Sequence, residues 1–272
     1  MTEPIISFKH VKKDYRFYRN NHQRLWHEIL GRDTGEVVNV LEDVSFEINK
    51  GEKVAIIGVA GSGRSTIMRL MGGIYKPDQG EIKVTEEPEL IFDHRLGFNI
   101  GMSGRDNYHM RANILGWSKE KIASSENKII EFAELEDLID DPIKAYPTGS
   151  MTRLGFTIGT ETDKDVILFD ELFNVGGNHY LPKCIERLKE LIEGEDKTFV
   201  MTVGNYPIAK QLCTRALVLD KGVICYDGGV NDAIKYFRAN CKEDPEKEKA
   251  MMERMKAEQD DMDEDQDDFD MG

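Results

Sequence analysis

The sequence predicts an α/β protein interrupted by a helical insertion, and three observations lead there. An apolar, β-branched run at residues 53–57 breaks into glycines and then into the helix-forming segment 64–71. A second apolar run, from Asp165 through Phe169, ends on the carboxylates Asp170 and Glu171. Continuous apolar runs of this length are the mark of strands buried on both faces, and charge at their C-terminal ends falls on the ligand edge of an open α/β sheet. Between the two runs the periodicity turns helical over 104–141, with Ile114, Leu115, Ile122, Ile129, Ile130, Phe132, Leu135, Leu138 and Ile139 as its apolar positions, ending at Pro142.

Taken in order, residues 5–8 alternate enough for a first strand. Residues 16–32 interleave Arg16, Arg19, Arg24 and Arg32 with Phe17, Tyr18 and Trp26, while Leu25, Trp26, Ile29 and Leu30 share one helical face. A short basic, aromatic amphipathic helix suits either a membrane–water boundary or a hydrophobic partner, and packing onto the body is the other reading. Strands are expected at 44–48 and 53–57, separated by the turn Lys50-Gly51-Glu52. The helix at 64–71 is stopped by Gly72-Gly73, and Lys76-Pro77-Asp78-Gln79-Gly80 is turn chemistry ahead of a strand at 81–84. Beyond the Asp-Glu strand, the pattern gives strands at 198–203, 216–220 and 223–226 and helices at 206–213 and 234–241. No internal repeat is visible.

The formal net charge of −15 is unevenly placed. Residues 243–272 hold 14 Asp and Glu against 4 Lys and Arg, a net of −10, so residues 1–242 carry only −5. The acidic stretch has too little apolar surface to offset the entropy of ordering and reads as a disordered tail, either a docking element or a solubilising extension. The body has no concentrated basic stripe, which argues against nucleic acid as a partner. Cys184, Cys213, Cys225 and Cys241 are widely spaced without Cys-x-x-Cys pairs, so neither a zinc site nor a disulfide framework is expected, and a reducing compartment fits. The first residues show no leader pattern, and no apolar run is long enough to span a bilayer, so the expectation is a cytosolic or peripheral protein.

Residues 58–66, Gly-Val-Ala-Gly-Ser-Gly-Arg-Ser-Thr, match the phosphate-loop pattern GxxxxGK[ST] at Gly58, Gly63 and Ser65, with Arg64 in place of lysine. Glycines here let backbone N–H groups converge on an anion, and the following helix adds the positive end of its dipole. Arginine keeps the charge but substitutes a wide planar fork for a compact ammonium. A glycine-rich strand-to-helix turn without a ligand is the plainer reading of the loop alone. The Asp-Glu strand about a hundred residues on completes the P-loop NTPase constellation, in which Ser65 and Asp170 would hold Mg²⁺ and Glu171 would be the base or orient the attacking water.

Over about residues 5–240 the chain resembles the ATP-binding subunits of ABC transporters, most closely those serving ABC-2-type exporters of capsule, O-antigen and teichoic-acid chains. The likeness is carried by residues 41–48 (LEDVSFEI), 71–80 (MGGIYKPDQG), 97–107 (GFNIGMSGRDN), 146–156 (YPTGSMTRLGF) and 169–177 (FDELFNVGG), all in the family's order. The resemblance implies a P-loop NTPase nucleotide-binding domain over 1–242, a mixed sheet with a helical subdomain inserted at about residues 100–160, with ATP and Mg as cofactors. It places Gly61, Ser62 and Thr66 in the cradle, Tyr15 where an aromatic can stack on adenine, and residues 16–32 where O-antigen-type exporters carry an interfacial helix. Thr148, Gly149 and Ser150 fall in the signature segment, which in the family faces the γ-phosphate on the opposite subunit of a head-to-tail dimer. Arg105 opens the region that touches the membrane permease. The implied location is peripheral, on the cytoplasmic face of the inner membrane.

Five positions depart from the family pattern. Arg64 replaces the loop lysine, Asn99 stands at the glutamine that senses Mg²⁺ and water, Gly177 replaces an aspartate, and Gly204 occupies the switch-histidine position. The fifth departure is the signature itself, Pro147-Thr148-Gly149-Ser150, which differs from the Ser-Gly-rich form. All five act during hydrolysis, so the expectation separates binding from turnover. The sequence thus points to the energising subunit of a polysaccharide or glycolipid exporter. A catalytically weakened module acting beside a competent paralogue, as homodimer or heterodimer, is the alternative. A soluble ABC-type ATPase of repair or translation ranks below both, since there is no second cassette.

Overall fold

In the computed structural model, which describes residues 4–17, 36–91, 97–170, 179–204 and 206–241, the apolar runs pair into one nine-stranded sheet. Its strands are β1 (Ile6–Phe17), β2 (Glu36–Ile48), β3 (Lys53–Gly58), β4 (Gln79–Val84), β5 (Glu89–Ile91), β6 (Val166–Asp170), β7 (Thr198–Val203), β8 (Arg215–Asp220) and β9 (Val223–Gly229). They lie in the order β4-β1-β2-β9-β8-β3-β7-β6-β5. β3 runs parallel to β7 and β8, and β6 runs parallel to β7 and β5. β1 is antiparallel to β2 and β4, and β9 is antiparallel to β8. A parallel centre therefore continues through β9 into an antiparallel wing, which is the mixed sheet expected.

The helices are α1 (Arg64–Met71), α2 (Gly104–Ile114), α3 (Lys119–Ala133), α4 (Ser150–Gly159), α5 (Leu181–Leu191), α6 (Tyr206–Leu212) and α7 (Val230–Asn240). Side-chain alternation splits the central strands between two cores. Val54, Ile56, Val166, Leu168, Val200, Leu217 and Leu219 point to the face covered by Ile67, Met68, Leu70 and Met71 of α1. Ala55, Ile57, Ile167, Phe169, Phe199, Met201 and Val218 point the other way, against Cys184 and Leu188 of α5, Ile208 of α6 and Ile234 of α7.

The inserted helices have a third core of their own, built from Tyr108, Ile122, Ile129, Ile130, Leu135, Ile139 and Ile143. Ser103 and Ser118 cap α2 and α3 by accepting from the N–H groups of Asp106 and Lys121. The Tyr108 hydroxyl donates to the Ile122 carbonyl at 2.6 Å and ties the two helices together. α4 joins this body to the sheet, because Leu154 and Ile158 enter the helical core while Phe156 packs on the sheet core.

Three expectations change. β1 and β2 are far longer than the strands expected at 5–8 and 44–48, because β1 carries charged residues on an open face and bulges around His10 (φ 50°). The register shifts break the alternation that a sequence reading depends on. Arg16 and Phe17 close β1, so the amphipathic helix does not begin at Arg16, and the rest of that segment lies outside the described residues. β5 and α5 had no counterpart among the expected elements. The acidic tail also lies outside the described residues.

Candidate nucleotide site

Adjacency in the sheet builds the site. β7 lies between β3 and β6, with Ile57 in register with Val203 and Asp170 in register with Thr202. The loop after β3, the end of β7 and the end of β6 therefore share one edge, where an α/β sheet presents its ligand crevice. The loop turns on a Ser62 N–H bond to the Val59 carbonyl at 3.1 Å. Gly61 (φ 76°) and Gly63 (φ 103°) both adopt left-handed backbone.

Glycine is required by contact at 58, and by contact as well as by backbone at 63. A Cβ on Gly58 would lie 2.3 Å from Ser62 Oγ and 2.5 Å from the Leu219 carbonyl oxygen. One on Gly63 would lie 2.8 Å from Leu41 Cδ2, so β2 of the antiparallel wing presses directly on the loop. α1 starts from Gly63 without a side-chain cap and with no acidic residue in its first turn. Its leading N–H groups are thus oriented toward the loop, where an anion meets both donors and dipole. Ser62 Oγ is buried without a hydrogen-bond partner among the described residues.

The polar side chains bind across strands. Ser65 Oγ donates to Asp170 Oδ1 at 3.3 Å, and Thr202 Oγ1 donates to the same oxygen at 2.5 Å. Two hard oxygen donors 3.3 Å apart fit neighbouring corners of a Mg²⁺ octahedron, which lie about 2.9 Å apart. The Arg64 guanidinium donates through Nη1 to the Val203 carbonyl at 2.6 Å. Gly204 follows, exposed, at the end of β7.

Tyr15 also reaches the loop. Its hydroxyl lies 3.3 Å from Thr66 Oγ1, and its ring stands edge-on to Tyr75 with centroids 5.8 Å apart. Burial pushes its pKa above the usual phenol range. This edge-to-face pairing and the Thr66 contact hold the ring at the rim of the cradle.

The remaining predicted residues belong to the helical body. Asn99 accepts the Gly101 N–H on its side-chain carbonyl at 2.9 Å, and its own N–H donates to Asn107 Oδ1 at 2.7 Å. Gly149 (φ 88°) starts α4 without a side-chain cap, as Gly63 starts α1, with Thr148 exposed before it and Ser150 buried after it. Arg153 reaches from α4 to Ser150 Oγ at 3.2 Å and to Glu134 Oε2 at 2.9 Å. Arg105 forms ion pairs with Asp140 and Glu126. Glu171 and Gly177 lie outside the described residues. Sequence reasoning missed Thr202 and Val203; the one available signal was a hydroxyl near the end of a largely apolar strand, and only the register sets it level with Asp170.

A parallel sheet edge with a glycine cradle, an uncapped helix start and a carboxylate bonded to the loop hydroxyl defines a P-loop nucleotide-binding domain. The comparisons with known proteins place it further. The ABC transporter family model matches residues 41–174. The ABC transporter protein AbcA of Aeromonas salmonicida is 33% identical over 84% of this chain and 74% of its own length. The teichoic acids export ATP-binding protein TagH of Bacillus cereus is 34% identical over 88% of this chain, which spans only 43% of that relative. The dimeric ATP-binding cassette MJ0796, solved with ADP and phosphate, superposes with a TM-score of 0.66 at 20% identity, over 83% of this chain and 98% of that one. This chain belongs to the ABC transporter family. Among the described residues, no helix is long and apolar enough to cross a membrane.

Proposed function

We propose that this chain is the ATP-binding subunit of an exporter that moves a polysaccharide or glycolipid across the inner membrane. The observation that carries the chemistry is the Ser65–Asp170 contact at 3.3 Å beneath a glycine-rich cradle; the cargo class rests on the name of TagH. In this reading the N–H groups around Gly58, Gly61, Ser62 and Gly63 cradle the phosphates, Arg64 supplies the loop cation, and Ser65 with Asp170 holds Mg²⁺. The ion's charge would offset that developing on the transferred phosphoryl group. Glu171 orients the attacking water. Tyr15 borders the base, Thr66 completes the cradle, Asn99 follows the state of the site, and Thr148, Gly149 and Ser150 face the γ-phosphate held by a second nucleotide-binding subunit.

Two such subunits close on ATP and pass the closure to an ABC-2-type permease, with residues 1–242 as the nucleotide-binding domain on the cytoplasmic face and the acidic 243–272 as an appended tail. Measured with the permease, Mg²⁺-dependent ATP turnover exceeds that of Glu171→Gln; turnover equal to that variant refutes an energising role. One observation favours the second reading, a weakened module beside a competent paralogue. The Arg64 guanidinium is bonded to β7, and no side chain exists at Gly204 to meet a γ-phosphate. Tight binding of a non-hydrolysable ATP analogue without turnover supports that reading.

A further inference from the structure

The Thr202–Asp170 bond has no counterpart in the motif pattern, and it sits where a metal ligand must be aimed. Asp170 ends β6 and Thr202 lies opposite it in the β6–β7 register. By strand parity both point to the α1 side of the sheet, as Val166, Leu168 and Val200 do. Ser65 comes down from α1 onto that side. Thr202 is 1% exposed, inside a strand that is buried throughout. Its β-branched side chain has few χ1 choices, so the hydroxyl is aimed by packing.

We propose that Thr202 is a positioning residue for the metal site, holding the Asp170 carboxylate in its ligating orientation through the 2.5 Å bond to Oδ1. Ser65 and Thr202 both donate to Oδ1, but they differ in what the metal does to them. Ser65 would itself ligate the ion, so its hydroxyl would have to give up its bond to Asp170. Thr202 belongs to a neighbouring strand and would keep its bond, so Asp170 would stay aimed while Ser65 changed partners. Outer-shell hydrogen bonds of this type typically contribute 10- to 100-fold in metal affinity. Valine would fill the same volume in a strand otherwise rich in apolar residues; the hydroxyl serves the carboxylate.

The inference rests on Asp170 being a Mg²⁺ ligand, and the test separates the two. Mn²⁺ is titrated by electron paramagnetic resonance into the full chain with a non-hydrolysable ATP analogue, and analogue binding is measured in parallel with EDTA. Thr202→Val weakens Mn²⁺ binding about tenfold or more and leaves metal-free analogue binding unchanged, while Thr202→Ser, which keeps the hydroxyl, restores the wild-type Mn²⁺ titration. Wild-type Mn²⁺ affinity in Thr202→Val, alongside a loss in Asp170→Asn, overturns the role of Thr202 alone. A Thr202→Ser variant as weak as Thr202→Val also overturns it, since the methyl packing would then be responsible. Unchanged Mn²⁺ affinity in Asp170→Asn overturns the assignment of the metal site and the inference with it.

Discussion

Arg64 Nη1 donates to the main-chain carbonyl of Val203 at 2.6 Å, so the residue that replaces the loop lysine is fastened to the strand that ends at Gly204. Two departures from the family pattern, separated by 140 residues of sequence, are thereby adjacent in space. A guanidinium reaches this carbonyl because its donors spread in a plane, where an ammonium on a shorter reach would stay over the loop.

Arg64→Lys should therefore act in opposite directions on stability and turnover. Losing a charge-assisted bond at this half-buried position lowers nucleotide-free stability by about 1 kcal/mol. Returning a compact cation to the cradle raises ATP turnover. Urea unfolding and a phosphate-release assay on the same preparation measure both. Turnover no greater than wild type would mean that the wide fork is not what limits hydrolysis.

Gly63→Ala and Gly73→Ala make a matched pair. Both glycines have positive φ, but a Cβ on Gly63 collides with Leu41 whereas one on Gly73 meets nothing within 4 Å. Gly73→Ala costs about 1 kcal/mol of backbone strain and leaves nucleotide affinity unchanged. Gly63→Ala costs about 1–3 kcal/mol and, by displacing the first N–H groups of α1, weakens analogue binding at least about tenfold. Calorimetric titration of the two variants separates cradle geometry from backbone strain.

Arg153 holds the start of α4. It links Ser150 to Glu134, which Lys183 also pairs at 3.2 Å, and its guanidinium lies 5.4 Å from the Tyr180 ring centre. Arg153→Met should lower stability by about 1–2 kcal/mol. It should also speed hydrogen exchange across residues 150–159 more than across β3. Uniform acceleration over the chain would show that Arg153 supports the fold rather than this helix.

Thiol reactivity reports the sheet core under α5, α6 and α7, which holds or touches all four cysteines. Burial pushes the Cys184 pKa up to about 12 and that of Cys213 still higher. At pH 8 the thiolate of Cys184 is present in about one molecule in ten thousand. Cys225, half-buried with its thiol 3.3 Å from the Val218 carbonyl, should be the one fast-reacting group among the four toward a chromogenic disulfide. Prompt labelling of Cys184 at that pH would contradict the packing of α5 on the sheet.

Local pattern alone determined a good part of this protein. The strand at 53–57, the glycines at 58, 61 and 63, and the helix at 64–71 were legible because each depends on residues within a few positions, and α1 begins and ends where the pattern places it. The wing strands were less legible, since bulges around His10 interrupt the period of two on which strand recognition rests. The ordered motifs were enough to place the chain in its family. Tertiary structure alone decided which strand separates the loop from Asp170. A buried strand reads as an apolar run whatever its neighbours are, so the order β3-β7-β6 is written in no single segment. That order sets Val203 beside Arg64 and Thr202 beside Asp170, and it turns an isolated change in a motif into contacts with a partner strand.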